Sequence, residues 1–142
     1  MQFSEVTRPI SWGEMDLFRH LNNVHYLRYM EDARIAFLEQ FNFFQENLYS
    51  VILKNECDYK APVIYPDHLI TRSFVTHVGH TSFCMLYEIY SKAQHKIVAV
   101  GKSVIVIVNQ SNFEKQPIPN HIKEKIQAYM TQFTYGSFDE QA

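Results

Sequence analysis

A chain of 142 residues suffices for one ordinary domain, and two domains with separate cores would each have to be unusually small. Hydrophobic residues make up 46% of the chain, and 1 Trp, 9 Tyr and 11 Phe stand against 4 Gly and 5 Pro, which excludes disordered and low-complexity classes. A formal net charge of −2 argues against a protein built mainly to bind nucleic acid or an anionic membrane surface.

The two cysteines, Cys57 and Cys84, form no C-x-x-C pair and cannot supply the disulfide framework of a small secreted domain. Residues 1–12 lack the features of a signal peptide, and no run approaches the roughly 20 apolar residues of a membrane span. We therefore expect a cytoplasmic protein without nucleic-acid or membrane partners. A single domain is expected over residues 1–134, followed by a loose tail at 135–142.

The first third of the chain is predicted to form a strand and a long helix. The strand covers residues 3–12, and a polar, irregular segment follows it as far as Asn22. From Val24 to Phe44, apolar residues recur at helical spacing over about six turns, with Asn22 or Asn23 placed to cap the helix. Its predicted solvent face includes Glu31 and Arg34, which are spaced to form an ion pair. The other members of that face are Arg28, Asp32 and Glu39.

The remainder of the chain is predicted to contain four strands and a second helix. The strands are rich in Val, Ile, Thr, Tyr and Phe, and turn residues separate them at 50–60, 68–78, 81–91 and 96–108. The last three strands are expected to be joined as hairpins. A loop at 112–119 leads through Pro119 into an amphipathic helix over 121–133. The predicted order is β-α-β-β-β-β-α.

The segment Val104 to Val108 is apolar at every position, whereas a strand with one face in water should alternate. Both of its faces should therefore be covered. One long helix covers one face of a sheet, so we expect a second copy of the chain to cover the other, with the C-terminal helix as the alternative cover. Cys84 lies in an apolar strand and is predicted to be a buried small hydrophobe.

The segment from Trp12 to Tyr26 concentrates polar residues between a strand and the start of a helix. A helix N-terminus offers unpaired backbone N–H groups that stabilise a developing negative charge. Asp16 lies a few residues before them. A carboxylate beside such donors can perform acyl transfer, since the donors polarise a carbonyl and the carboxylate attacks it or activates water. The alternative role for Asp16 is that of a turn or cap residue.

The spacing D-x-x-x-H-x-N-N-x-x-Y-x-x-Y-x-E-x-A-R is formed by Asp16, His20, Asn22, Asn23, Tyr26, Tyr29, Glu31, Ala33 and Arg34. This motif resembles the signature of the hotdog-fold acyl-CoA thioesterases of the 4-hydroxybenzoyl-CoA thioesterase type. Similar residues recur at 58–67, 79–82 and 100–101, so the likeness covers most of the chain. It implies an α+β hotdog fold, in which a five-stranded antiparallel sheet wraps around one long helix, with a C-terminal helix added. It also implies a homodimer or homotetramer.

The resemblance assigns roles to individual positions. Asp16 would act on the thioester as nucleophile or general base, and the backbone N–H groups of Asn23 and Val24 would polarise the carbonyl. His20 and Asn22 would contact substrate or brace the Asp16 loop. The positions expected to line the substrate pocket are Tyr26, Thr81 and Ser82, although a strand Thr or Ser and a helix Tyr also have ordinary structural roles.

The sequence departs from this family's pattern at three positions. Glu14 stands where members often have Asp, while Arg19 and Pro66 each stand where members often have Gly. These changes leave Asp16 in place and bear on the choice of acyl group. No metal or cofactor is expected, because His77 and His80 span a strand and its turn and their rings should diverge.

Three alternative functions are known for proteins of the same fold. An acyl carrier protein thioester could replace the acyl-CoA substrate. A hydratase is disfavoured, because the Pro between Asp and His in the hydratase motif is missing from Asp16 to His20. A non-catalytic acyl-CoA-sensing domain is disfavoured because sensors of this fold lack the carboxylate that Asp16 supplies here.

Overall fold

Five antiparallel strands form one sheet in the computed structural model, which describes residues 2–130. The strands are β1 (Ser4–Pro9), β2 (Leu48–Tyr59), β3 (His68–Val78), β4 (Ser82–Ser91) and β5 (Lys96–Asn109). The helices are α1 (Val24–Glu39) and α2 (Asn120–Gln127). The strand order across the sheet is β1-β3-β4-β5-β2, so β3, β4 and β5 are consecutive antiparallel neighbours. This architecture confirms the predicted fold class and element order.

Both helices pack on the same face of the sheet. Ile105 and Ile107 of β5 belong to one buried cluster with Phe37 of α1 and with Ile122 and Ile126 of α2. The alternative in which the C-terminal helix covers the second face of β5 is therefore wrong.

The intervening residues of β5 point to the opposite face, because side chains alternate along a strand. Val106 and Val108 are only 7% and 4% exposed there, within one chain, while Val104 is half-buried. The strand is thus covered on both sides over most of the apolar run. Its burial does not require a second copy of the protein.

The first strand and the long helix are both shorter than predicted. The strand ends at Pro9, and Trp12–Glu14 forms a separate 3-10 turn. The helix ends at Glu39 because Asn42 takes a left-handed backbone conformation with φ 56°, which no helix can continue. The chain then forms a second 3-10 turn at Phe43–Gln45. Phe41 is buried past the helix end, which explains part of the continued apolar pattern, whereas Phe44, its last member, is 37% exposed.

Arg34 is buried, at 6% exposure, which corrects its placement on the solvent face. It lies one turn after Met30 and one turn before Leu38, so it shares the buried side of the helix. Its guanidinium donates a hydrogen bond to the Tyr87 hydroxyl at 3.2 Å. The predicted ion pair between Arg34 and Glu31 does not form. Glu31 pairs with Arg28 instead, and its Oε1 lies 3.6 Å from the Arg28 Nε.

Two smaller predictions also need correction. Cys84 is half-buried rather than buried. The second helix ends at Gln127, before the predicted end, while residues 131–133 of that prediction and the expected tail at 135–142 lie outside the described residues. No helix within residues 2–130 is long and apolar enough to cross a membrane.

Candidate active site

The loop between β1 and α1 folds back on itself as a small hairpin, residues 15–21. Met15 and Leu21 pair as antiparallel partners, and the Asp16 N–H donates to the His20 carbonyl at 2.8 Å. Near the tip, Arg19 has φ 66°, in the left-handed region that favours glycine. This conformation gives a physical reason why glycine is common at that position in the resembling family.

The Asp16 carboxylate is held by the turn that it belongs to. Its Oδ1 accepts hydrogen bonds from the backbone N–H of Phe18 at 2.8 Å and of His20 at 3.1 Å. The described residues offer its Oδ2 no hydrogen bond. Asp16 is therefore a turn residue, as the alternative proposed, and still presents one carboxylate oxygen for chemistry.

The start of α1 presents one unoccupied donor. The N–H groups of His25 and Tyr26 donate to the carbonyls of Asn22 and Asn23, at 3.0 and 3.3 Å. The Val24 N–H makes a long bond of 3.4 Å to the Asn22 side chain, which caps the helix only weakly. Asn23 occupies the N-cap position without a side-chain capping bond, and its own N–H has no acceptor among residues 2–130. Of the two N–H groups predicted as donors, that of Asn23 is the one left without an acceptor among the described residues.

Asp16 and the helix start open onto one cavity of about 340 Å³. Its lining comprises Asp16, His20, Leu21, Asn23, Tyr26, Tyr59, Lys60, Ala61 and Pro62. Four of the predicted site residues therefore meet here: Asp16, His20, Asn23 and Tyr26. Asn22 does not line the cavity, and its side chain accepts a hydrogen bond from the Val24 N–H at the helix start rather than bonding the Asp16 loop.

Tyr59 belongs to the cavity, and the sequence reasoning did not identify it as a site residue. Its hydroxyl donates to the Asn23 carbonyl at 3.1 Å, and its ring meets the Tyr26 ring edge-on at 4.9 Å. Burial, helped by nearby Cys57 and Tyr59, raises the pKa of Tyr26 to about 12. The Tyr26 phenol therefore stays protonated at neutral pH. The pair Asp58-Tyr59 within the family-like pattern was the available signal for Tyr59.

Thr81 and Ser82 lie at the other end of the sheet. Ser82 of β4 pairs with Val106 of β5. Tyr59 of β2 pairs with Ala99 of β5, and Ala99 pairs in turn with Ile89 of β4, which is seven residues beyond Ser82. At the rise of an extended strand this separation is about 23 Å. Within one chain, the structure does not bring Thr81 or Ser82 into the Asp16 cavity.

No group of three His, Cys, Asp or Glu side chains within residues 2–130 is placed to hold a metal ion.

Residues 10–126 match the family model of the thioesterase-like superfamily. The chain belongs to the thioesterase-like superfamily. It is 23% identical over 117 residues to the long-chain acyl-CoA thioesterase FadM of Escherichia coli K12, covering 80% of this chain and 89% of FadM.

Solved structures of other proteins share the fold of this chain. The PA2801 protein of Pseudomonas aeruginosa superposes with a TM-score of 0.81 at 25% identity, over 88% of this chain and 99% of that one. A DHNA-CoA thioesterase from Staphylococcus aureus gives a TM-score of 0.79 at 16% identity, over 91% of this chain and 89% of that one. The hotdog fold of this thioesterase-like chain is therefore shown by sequence family and by structure together.

Proposed function

We propose that this protein hydrolyses an acyl-CoA thioester to a free carboxylic acid and CoA. The observation that carries the proposal is a single cavity lined by both Asp16 and Asn23. Among the described residues, Asp16 Oδ2 has no hydrogen bond and the Asn23 N–H has no acceptor. Membership of the thioesterase-like superfamily and the named activity of the Escherichia coli relative support the same reaction. The narrower 4-hydroxybenzoyl-CoA thioesterase type rests on the motif alone.

The proposed reaction has two routes that begin at the same atoms. In the first, Asp16 Oδ2 attacks the thioester carbonyl, the C–S bond breaks, the thiolate of CoA leaves and takes up a proton, and water then hydrolyses the resulting anhydride. In the second, Asp16 removes a proton from water as the water oxygen attacks, and that proton passes to the leaving sulfur. In both, the carbonyl oxygen becomes negative and the Asn23 N–H donates to it. Neither route needs a metal or redox cofactor.

The remaining predicted residues take supporting roles. Tyr26 and His20 line the cavity and would contact the thioester, while Asn22 would brace the helix start. Thr81 and Ser82 lie too far from the Asp16 cavity of their own chain to contact the thioester bound there. They would contact only a distant part of that substrate. The cytoplasm remains the proposed compartment, since a reducing environment suits the free Cys57 and Cys84.

We also propose a homodimer or homotetramer. The strand β2 is 12 residues long, lies at the edge of the sheet, and exposes Tyr49, Val51, Ile52 and Leu53. Between this strand and α1 lie two neighbouring cavities of about 460 and 450 Å³, both lined by Glu31 and Arg34. An exposed apolar edge strand beside an open groove is a surface that pairing with a second copy would bury.

The test of this function is a panel of aromatic, short-chain and long-chain acyl-CoAs, with released thiol as the readout. We expect at least one member to be hydrolysed. Tight binding of one member without hydrolysis of any would contradict the proposal and favour an acyl-CoA sensor. Hydrolysis of acyl carrier protein thioesters in preference to every acyl-CoA, weakened by salt, would identify the carrier protein as the substrate instead.

A further inference from the structure

Glu14 joins the loop that carries Asp16 to the helix that carries the oxyanion donor. Its Oε1 accepts hydrogen bonds from the Ser11 N–H and from the Tyr29 hydroxyl, each at 2.7 Å. Its Oε2 lies 3.8 Å from His25 Nδ1. Tyr29 and His25 both belong to α1, whereas Ser11 and Glu14 precede the 15–21 hairpin. One carboxylate thus contacts both sides of the candidate active site.

The backbone of Glu14 adds a third connection. Its carbonyl accepts a hydrogen bond from the Asn22 N–H at 2.9 Å, which closes the base of the 15–21 hairpin. Asp16 lies on the first arm of that hairpin, two residues after Glu14, and Asn23 lies two residues after the end of the second arm. The separation between the Asp16 carboxylate and the Asn23 N–H therefore depends on how the hairpin base sits against α1.

The Glu14 contact with α1 is sheltered from water. The Glu14 side chain is 20% exposed and Tyr29 is 5% exposed. Burial and the hydrogen bond to Glu14 hold the pKa of Tyr29 well above its usual value, so the phenol remains a donor at neutral pH. A charge-assisted bond of this kind is stronger than a neutral one and fixes its two partners accurately.

We propose that Glu14 is a positioning residue for hydrolysis: by holding the hairpin base against α1, it sets the geometry between the Asp16 carboxylate and the Asn23 N–H. This inference rests on the proposed function. Its physical basis is that displacement of a catalytic group by about 1 Å can lower the rate about 100-fold without loss of the fold.

The kinetic test compares Glu14→Ala, Glu14→Gln and Tyr29→Phe with the wild-type protein on its best acyl-CoA. We expect Glu14→Ala to lower kcat about 10- to 100-fold and to change KM less than about twofold, since the cavity lining is intact. The amide oxygen of Glu14→Gln can still accept both bonds, so this variant should recover most of kcat. In Glu14→Ala, adding Tyr29→Phe should cause little further loss, because the two residues share one interaction.

Glu46→Ala provides the matched control. Glu46 accepts a hydrogen bond from His121 at 2.6 Å and so also joins two separate elements, but it lies outside the Asp16 cavity. Its loss should leave kcat unchanged even if the melting temperature falls. A fall in kcat of equal size in Glu46→Ala and Glu14→Ala would overturn the positioning role.

Hydrogen exchange supplies a readout that is independent of turnover. In Glu14→Ala, backbone amides of residues 15–23 should exchange faster while those of β4 and β5 stay unchanged. Unchanged exchange in that segment, or unchanged kcat in an active protein, would overturn the role of Glu14 and leave the proposed function standing. Failure of the wild-type protein to hydrolyse any acyl-CoA would overturn the proposed function, and with it the role of Glu14.

Discussion

The two oxygens of the Asp16 carboxylate have different surroundings. Oδ1 accepts two backbone N–H groups of its own turn, and Oδ2 has no such bond among the described residues. Asparagine in this position could still accept both bonds through its own Oδ1, so it would keep the hairpin while removing the nucleophilic oxygen. Alanine would remove the hairpin bonds as well and would confuse the loss of chemistry with the loss of structure.

The proposed oxyanion donor, the Asn23 N–H, is removed when proline replaces Asn23. Asn23 has φ −55°, close to the value that proline imposes, and the helix start tolerates proline. We expect Asn23→Pro to lower kcat about 100- to 1,000-fold, because the N–H that polarises the carbonyl is gone. Asn23→Ala should stay near the wild-type rate, since the Asn23 side chain makes no capping bond.

Circular dichroism and melting temperature check that both Asn23 variants keep the fold. A proline variant that retained wild-type kcat would show that another group, such as the Val24 N–H, stabilises the oxyanion.

At the scale of single residues, the sequence predicted the groups that are close together in the chain. Asp16 and Asn23 are seven residues apart, and a local motif fixes their relation. Tyr59 acts on Asn23 from 36 residues away, and Arg34 meets Tyr87 from 53 residues away. Such partners are set by tertiary packing, which a local pattern does not encode.

At the scale of elements, the strands were the easier prediction. Segments rich in Val, Ile, Thr, Tyr and Phe and clear turn residues defined β3, β4 and β5 to within about two residues, which is the usual uncertainty of element boundaries. The end of α1 was missed because Phe41 and Phe44 continue the helical spacing beyond it, although only Phe41 is buried. Helical periodicity counts apolar residues and does not register the left-handed backbone of Asn42.

The approach of α1 to the sheet depends on Gly101 of β5. A Cβ atom at Gly101 would clash with the Met30 Sδ, and Met30 is fully buried. We expect Gly101→Ala to lower the free energy of unfolding by about 1–3 kcal/mol, the usual cost of overpacking. The measurement is urea unfolding at one fixed protein concentration.

Two further variants make this packing test specific. In a Met30→Ala background the Gly101→Ala change should cost less, because the clashing sulfur is absent. Gly13→Ala is the matched control, since a Cβ atom there meets nothing within 4 Å. Equal costs for Gly101→Ala in the two backgrounds would show that the contact with Met30 does not limit the packing.

At the scale of the whole molecule, the proposed oligomer rests on the β2 edge. Leu53 is 72% exposed and lies at the irregularity in the pairing of β2 with β5. If β2 pairs with a second copy, Leu53→Lys should separate the subunits by placing like charges together. Sedimentation of the wild-type protein should give the mass of a dimer or tetramer.

Thr7→Lys adds the same charge to an exposed position on β1, the opposite edge strand, and serves as the control. It should leave the mass unchanged. A wild-type protein that sediments as a monomer, or a Leu53→Lys variant that keeps the wild-type mass, would contradict assembly through β2.

The proposed function of the molecule requires that the Asp16 carboxylate takes part in the reaction. The most direct test is the hydrolysis rate of Asp16→Asn on the best acyl-CoA, measured beside the wild-type protein. Equal melting temperatures of the two proteins would show that the variant keeps the fold. We expect the rate to fall to the uncatalysed background while acyl-CoA binding is retained, since the amide keeps the hairpin bonds and lacks a nucleophilic or basic oxygen. A variant that hydrolyses the thioester at near the wild-type rate would contradict the assignment of Asp16.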